Sequence, residues 1–102
     1  MTNKVYTSNE ELARDKVRHI EQGRFRVSRH AGEKHPELTD VERAAIVRYG
    51  TGDKPDRERP ASAGVYLCWA TLPTHGVCRA VFCIEETSSG TVLKIITAFP
   101  ES

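Results

Sequence analysis

The chain has 102 residues, of which 38% are hydrophobic and 28% charged, and its formal net charge is +1. The length fits one domain, placed over residues 1–102, and the composition excludes a disordered chain. So small a net charge argues against sequence-independent wrapping of nucleic acid through phosphate contacts. No apolar run approaches the roughly 20 residues that span a bilayer. Residues 1–16 lack the apolar centre of a secretion signal, so we expect a cytoplasmic protein with no membrane partner.

Two helices are predicted first. Ser8 and Glu11 have the spacing of a capping box, and apolar residues recur at helical spacing until Gly23. The same pattern recurs over residues 39–50, where a threonine precedes a glutamate by three positions and a glycine ends the segment. Between the helices, the alternation in RFRVS predicts a short, half-buried strand.

Residues 50–64 combine glycine, proline and charge without an apolar face, which predicts a mobile, exposed loop. Three strand segments follow, GVYLCWATL, VCRAVFCIEE and VLKIITAF, joined by short turns that end in glycine. The predicted fold class is therefore α+β, with two N-terminal helices on one face of a curled antiparallel sheet of about four strands.

The three cysteines lie in these strand segments without a Cys-x-x-Cys pair, so we expect buried, reduced thiols. Cys78 and Cys83 differ by an odd number of positions and should point to opposite faces of their strand. By the same parity Tyr66 and Trp69 lie on opposite faces. We expect both rings to pack in the core, although a ring that is exposed would be available for base stacking.

Charge is concentrated in residues 24–35, which carry four cations against one carboxylate, a net charge of +3 that leaves −2 for the remainder. Two histidines, His30 and His35, lie in this basic segment. A compact basic surface of this kind can hold a few phosphates, although the same charges could merely solvate a strand edge and a loop.

Three short motifs occur in a fixed order: SRHA at 28–31, LTDVERAAI at 38–46 and TAF at 97–99. With the order of elements, they resemble the RelE-like toxin superfamily, and within it small domains of unknown function that share a His-Ala pair. The resemblance covers residues 24–100 and leaves residues 1–23 as an N-terminal helix region. Where relatives often have an arginine-rich turn, this chain has GEKHP, so Lys34 and His35 are available to replace those arginines.

The resemblance implies a two-layer RelE-like fold and a metal-independent endoribonuclease that needs no cofactor. Its implied partners are RNA, whether single-stranded, tRNA or ribosome-bound, and a protein antitoxin. Cleavage of this kind needs a base for the ribose 2′-OH, an acid for the leaving oxygen and cations for the phosphate. Under that hypothesis His30 is the first candidate base, and His35 or Glu33 is the second proton carrier.

Phosphate would be held by Arg26, Arg29 and Lys34, and by the Thr97 hydroxyl if that face of the last strand turns toward the segment. Structural roles stay open for several of these side chains. His30 can bond a loop carbonyl, and His35 precedes a proline that favours an extended turn. Histidines 19 and 75 are expected on the surface. No metal site is predicted, because HAGEKH is not the His-Glu-x-x-His pattern and two residues five apart do not share a helix face.

Two functions of different classes follow. The first is a toxin-like RNA-binding domain with possible endoribonuclease activity. The alternative is a non-catalytic module that binds a protein partner through the loop at 50–64 or a sheet edge.

Overall fold

The structure, a computed structural model, describes residues 2–101. Its α-helices are α1 (Asn9–Glu21), α2 (Arg29–Lys34) and α3 (Asp40–Tyr49). Its strands are β1 (Thr2–Asn3), β2 (Phe25–Val27), β3 (Thr51–Pro55), β4 (Val65–Leu72), β5 (Gly76–Thr87) and β6 (Gly90–Pro100). A short 3-10 helix, Ala61–Ala63, precedes β4.

The strands form one sheet in the order β2-β6-β5-β4-β3, and β1 pairs with β5 beside this path. The α+β class is as predicted, but a sheet of about four strands was wrong, since the described residues form six. The expectation of a purely antiparallel sheet was also wrong, because β2 runs parallel to β6.

The missed strands are those without an apolar pattern. β1 has two residues, too few for any alternation to show, and β3 is an edge strand of sequence TGDKP. Backbone pairing to β4 holds β3 in place without requiring apolar side chains. The prediction of an exposed loop over 50–64 was therefore wrong for β3, and also for Asp56, which is buried.

The helices α1 and α3 lie in the predicted segments. The Ser8 hydroxyl accepts the Glu11 N–H at 3.3 Å, and Thr39 and Glu42 form both bonds of a capping box, at 3.1 and 2.8 Å. A count of two helices was wrong, because α2 forms in the segment that follows β2. Its six residues are too short for helical periodicity to appear in the sequence.

We call the side of the sheet that faces α1 and α3 the inner face. Fully buried residues of both helices pack there against alternate residues of the three long strands, among them Leu12, Ile46, Phe82 and Ile95. A buried lysine lies between α1 and β3. Lys16, which is 1% exposed, donates to the Gly50 carbonyl at 2.9 Å and to Asp53 at 2.7 Å. The pair ties α1 to β3, which has few apolar contacts of its own.

The opposite side, the outer face, carries a smaller apolar cluster that includes Val65, Leu67, Val81 and Cys83. All three cysteines are free and buried, and Cys78 belongs to the inner cluster while Cys83 belongs to the outer one. Both predictions about the cysteines are confirmed. No helix within residues 2–101 is long and apolar enough to cross a membrane.

Candidate functional site

A β-bulge in β6 determines which residues of this strand lie on the outer face. Val81 pairs with Thr97 and the next residue of β5, Phe82, pairs with Ile95, so Ile96 is the extra residue. Side chains alternate along a regular strand, and Ile95 lies on the inner face; without the bulge, Thr97 and Phe99 would lie there too. With it, both residues line the outer face beside Ile96.

Ser28 connects the bulge to α2. Its hydroxyl donates to the Ile96 carbonyl at 2.6 Å and accepts the Ala31 N–H at 3.2 Å, so one side chain bonds the bulged strand and caps the helix. The other end of α2 is held by buried Arg43, which donates to the His35 carbonyl at 2.8 Å. The short helix is thus fixed beside the last residues of β6.

The outer face contains a cavity of about 580 Å³, which we call the outer-face cavity. Leu67, Val81 and Ile96 supply apolar surface to it, and they are buried or half-buried. His30, the second residue of α2, lines the same cavity and is exposed. The cavity therefore combines an apolar surface with an imidazole open to solvent.

A row of rings and cations crosses the sheet along the cavity, and we call it the cross-sheet ladder: Lys54, Trp69, Arg79, Phe99 and His35. Register pairs Trp69 with Arg79 and Arg79 with Phe99 on neighbouring strands. The Lys54 ammonium lies 5.1 Å from the Trp69 ring centroid. The Arg79 guanidinium lies 5.6 Å from the Trp69 ring and 5.5 Å from the Phe99 ring. The His35 ring stacks on Phe99 at 5.0 Å.

Residue 54 of β3 and residues 56–59 of the segment that follows β3 form another part of the lining. Buried Asp56 shapes this segment, because it accepts the Glu58 N–H at 3.1 Å and pairs with Arg59. Arg57 and Glu58 are exposed. Four cations and two carboxylates line the cavity in all, an excess of two positive charges, with histidine counted as neutral.

A carboxylate just beyond β6 contacts two residues of the cross-sheet ladder. Glu101 accepts from the Trp69 indole N–H at 2.9 Å and from Arg79 Nε at 2.6 Å, both at the same oxygen. These two hydrogen bonds hold the pKa of the Glu101 carboxyl below its usual range. Glu101 is therefore ionised and occupies one side of the Arg79 guanidinium.

The predicted site residues are divided by the structure. His30 and Thr97 line the outer-face cavity together. His35 is not among the lining residues but stacks on one of them, and its Nδ1 lies 3.2 Å from Glu37. The remaining predicted residues are also outside the lining. Arg26 pairs with Glu85 at 2.6 Å, and exposed positions on α2 are occupied by Arg29, Glu33 and Lys34.

Sequence reasoning missed the cations of the cavity, Lys54, Arg57, Arg59 and Arg79. The first three belong to DKPDRER, whose charge density was visible but was assigned to a solvated loop. For Arg79 and Phe99 the needed signal was cross-strand register, and for Phe99 also the bulge, which no pattern in the chain reveals. The sequence left open whether Tyr66 or Trp69 is exposed, and the structure buries Tyr66 in the inner cluster while Trp69 lines the cavity.

The expectation that His19 lies on the surface was wrong. It is buried at 4% exposure, because α1 turns this side toward β6. Nδ1 lies 2.7 Å from the Asp15 carbonyl and Nε2 lies 2.7 Å from the Thr91 hydroxyl. A carbonyl only accepts, so Nδ1 carries a proton, whereas the Thr91 hydroxyl can either donate to Nε2 or accept from it. Burial, and then the positive charges of Arg24, Arg18 and Lys4, lower the His19 pKa.

Among residues 2–101, no three His, Cys, Asp or Glu side chains are placed to hold a metal ion together. Comparison of the chain with protein-family models, with curated proteins and with solved structures gave no match.

Proposed function

We propose that this protein is a toxin-like RNA-binding domain that holds single-stranded RNA in the outer-face cavity. The observation that carries the proposal is the cross-sheet ladder beside an apolar floor, with an excess of cations around both. Proteins that bind single strands combine these two features, aromatic rings on which bases stack and cations that follow the phosphates.

Stacking is assigned to Trp69, the one tryptophan of the chain. Its ring is half-buried and lines the cavity, so one part is fixed by the sheet while another part meets solvent. Because the Lys54 ammonium and the Arg79 guanidinium lie over this ring at 5.1 and 5.6 Å from its centroid, a base would stack by displacing one of them and would lie next to the other. Stacking on an aromatic ring contributes roughly 1–3 kcal/mol per base and depends little on which base it is.

Phosphate binding is assigned to Arg57 and Arg59, on the segment that follows β3. Arg57 is exposed, whereas Arg59 is paired with Asp56 and also positions the loop. Guanidinium groups suit phosphate because their N–H donors match two oxygens at once. A strand that contacts these arginines and Trp69 would cross the sheet from β3 toward α2.

Cleavage, if the RNA is cut, is assigned to His30 as the base that takes the 2′-OH proton. His30 and Thr97 line the same cavity, so a hydroxyl donor for phosphate is close to the imidazole. His35, proposed as the second proton carrier, would have to act from behind the Phe99 ring on which it stacks. The geometry therefore supports binding more strongly than cleavage.

Two measurements test the proposal. Binding of a fluorescent uridine oligonucleotide should weaken by about tenfold in Trp69→Ala, and by less in Arg57→Ala, which removes one phosphate contact. Incubation with total RNA in EDTA should give cleavage by the wild type and none by His30→Ala. Binding without cleavage by the wild type would leave an RNA-binding domain and remove the catalytic role. Absence of binding would remove the function.

The second candidate, a protein-binding module, rests on a different surface. Two apolar side chains of α3 are strongly exposed, Val41 at 79% and Tyr49 at 68%. They border a groove between α1, β2 and α3, to which Ile20, Phe25 and Ala45 contribute. A protein antitoxin is the partner that we propose for this groove, in keeping with the toxin-like character of the domain.

Val41→Asp separates the two candidates. The side chain is exposed in the first turn of α3, where an acidic residue is compatible with the helix, so the fold should persist. Under the protein-binding hypothesis this variant no longer forms a complex with the partner but binds RNA as the wild type does. An equal loss of both activities would indicate unfolding and would be visible in its melting curve.

A further inference from the structure

We propose that Glu101 is a built-in competitor for a phosphate subsite formed by Arg79 and Trp69. The inference rests on the proposed function, and it assigns to this position the binding of a phosphate oxygen of the ligand. In the free protein the Glu101 carboxylate takes that place. In the complex the phosphate displaces it.

The donors already have the geometry of an anion site. The Trp69 indole N–H and Arg79 Nε converge on a single carboxylate oxygen, at 2.9 and 2.6 Å. The guanidinium is positioned by two rings, at 5.6 Å from Trp69 and 5.5 Å from Phe99. Because the rings and the strand register hold these donors, they stay in place when their acceptor leaves.

The acceptor, in contrast, can leave at small cost. The Glu101 backbone is fixed, since its N–H donates to the Val77 carbonyl at 2.8 Å. Its side chain is partly exposed and makes its hydrogen bonds at the end of a flexible stem, so it can turn into water without moving the strand. Exchange of a carboxylate for a phosphate keeps a charge-assisted bond at both donors.

The location also connects this subsite with the cavity. Both donor residues line the outer-face cavity, and Glu101 lies beside the cross-sheet ladder, where it bonds Trp69 and Arg79. A base stacked on Trp69 would place its own phosphate within reach of the same indole edge. Glu101 would then weaken every ligand that brings a phosphate here, whatever its bases.

The test measures affinity for two probes, a uridine oligonucleotide and inorganic polyphosphate, which has the charges without the bases. Glu101→Ala should bind both probes about three to ten times more tightly than the wild type, and Glu101→Gln should lie between. In an Arg79→Ala background the Glu101→Ala change should alter affinity by less than about twofold, because the subsite is gone.

Glu21→Ala is the matched control. Glu21 pairs with Arg48 at the same 2.6 Å and the variant changes net charge equally, but this pair lies in the helix layer. Its affinity for either probe should stay within about twofold of the wild type. An equal gain in Glu21→Ala would show that net charge, and not the subsite, is responsible, and would overturn the inference.

The outcomes separate the two proposals. RNA binding that is unchanged by Glu101→Ala overturns the competitor and leaves the proposed function standing. Polyphosphate bound more tightly by Glu101→Ala, with no RNA binding by any variant, keeps the competitor and removes the proposed function. No binding of either probe overturns both.

Discussion

The two faces of the sheet differ in how completely their side chains are buried. On the inner face, residues such as Phe82 and Ile95 are completely buried against α1 and α3. On the outer face the apolar cluster is smaller, and it merges into half-exposed rings and cations such as Trp69 and Arg79. The inner face accounts for stability, and the outer face leaves its side chains free to contact a ligand.

The largest effect should separate the faces directly. Phe82→Ala removes a fully buried ring and should lower the free energy of unfolding by about 3–5 kcal/mol. Trp69→Ala removes a half-buried ring and should cost about 1–2 kcal/mol while it weakens RNA binding about tenfold. Urea unfolding and oligonucleotide binding measure both. Equal destabilisation by the two variants would contradict the division into faces.

Deletion of Ile96 tests what the bulge residue contributes to the outer face. Thr97 then becomes the neighbour of Ile95, so regular alternation keeps Thr97 and Phe99 on the outer face. The Ile96 side chain is lost from the cavity and the Ser28 hydroxyl loses its acceptor, so the free energy of unfolding should fall by roughly 1–3 kcal/mol. RNA binding should weaken without being lost, because the ladder residues keep their face while α2 loses its link to β6. The control, Ile96→Val, keeps the bulge and should cost about 0.5–1.5 kcal/mol without loss of binding.

Ser28→Ala tests the link between the bulge and α2. The variant loses a helix cap and the hydrogen bond to the Ile96 carbonyl, so the free energy of unfolding should fall by about 1–2 kcal/mol. Because His30 is then held less firmly, any RNA cleavage should be slower than in the wild type. Ser8→Ala removes the cap of α1 and serves as the matched control. It should lose stability and keep RNA binding and any cleavage. If Ser8→Ala lost RNA binding or cleavage as much as Ser28→Ala does, the position of α2 beside β6 would not be what the function depends on.

The smallest expected effect is the contribution of His19, which lies between α1 and β6, to the pH dependence of stability. The His19 pKa is lowered in the folded protein, so between the folded and the unfolded pKa the unfolded chain binds more protons. The free energy of unfolding should fall as pH drops through the usual histidine range, near about 6.5, and be unaffected by this residue above it. His19→Gln should show a smaller difference between urea unfolding at about pH 5.5 and at about pH 7.5. A difference as large as in the wild type would assign the pH dependence to other groups.

The elements that the sequence predicted are mostly the long ones, and the exception is β2, whose three residues show an alternation of polar and apolar side chains. α1 and α3 were predicted because a cap and several turns of periodic apolar residues occur together, and the three long strands because both their faces are apolar enough to show. The short elements β1, β3 and α2 owe their structure to neighbours, through backbone pairing and the Ser28 contacts, which a single segment does not encode.

The candidate site was predicted in part for the same reason. His30 was identified by its chemistry, and its place in the cavity depends on a cap and a bulge. The basic segment at 24–35 was expected to supply the cations, but those that line the cavity come from β3, from the segment after it and from β5. Proximity along the chain was a poor guide because neighbouring strands bring distant residues into one row.

The resemblance to the RelE-like toxin superfamily stays a prediction. A measurement that locates RNA binding separates the two proposed functions most directly, because the outer-face cavity and the groove on the helix layer lie on different surfaces of the molecule.

That measurement is the mapping of amide chemical shifts by NMR during titration with a uridine oligonucleotide. We expect shifts that cluster at Trp69, Arg79 and Thr97 on the outer face, with the groove residues Val41 and Tyr49 unchanged. Shifts centred on the groove, or none at saturating RNA, would contradict it.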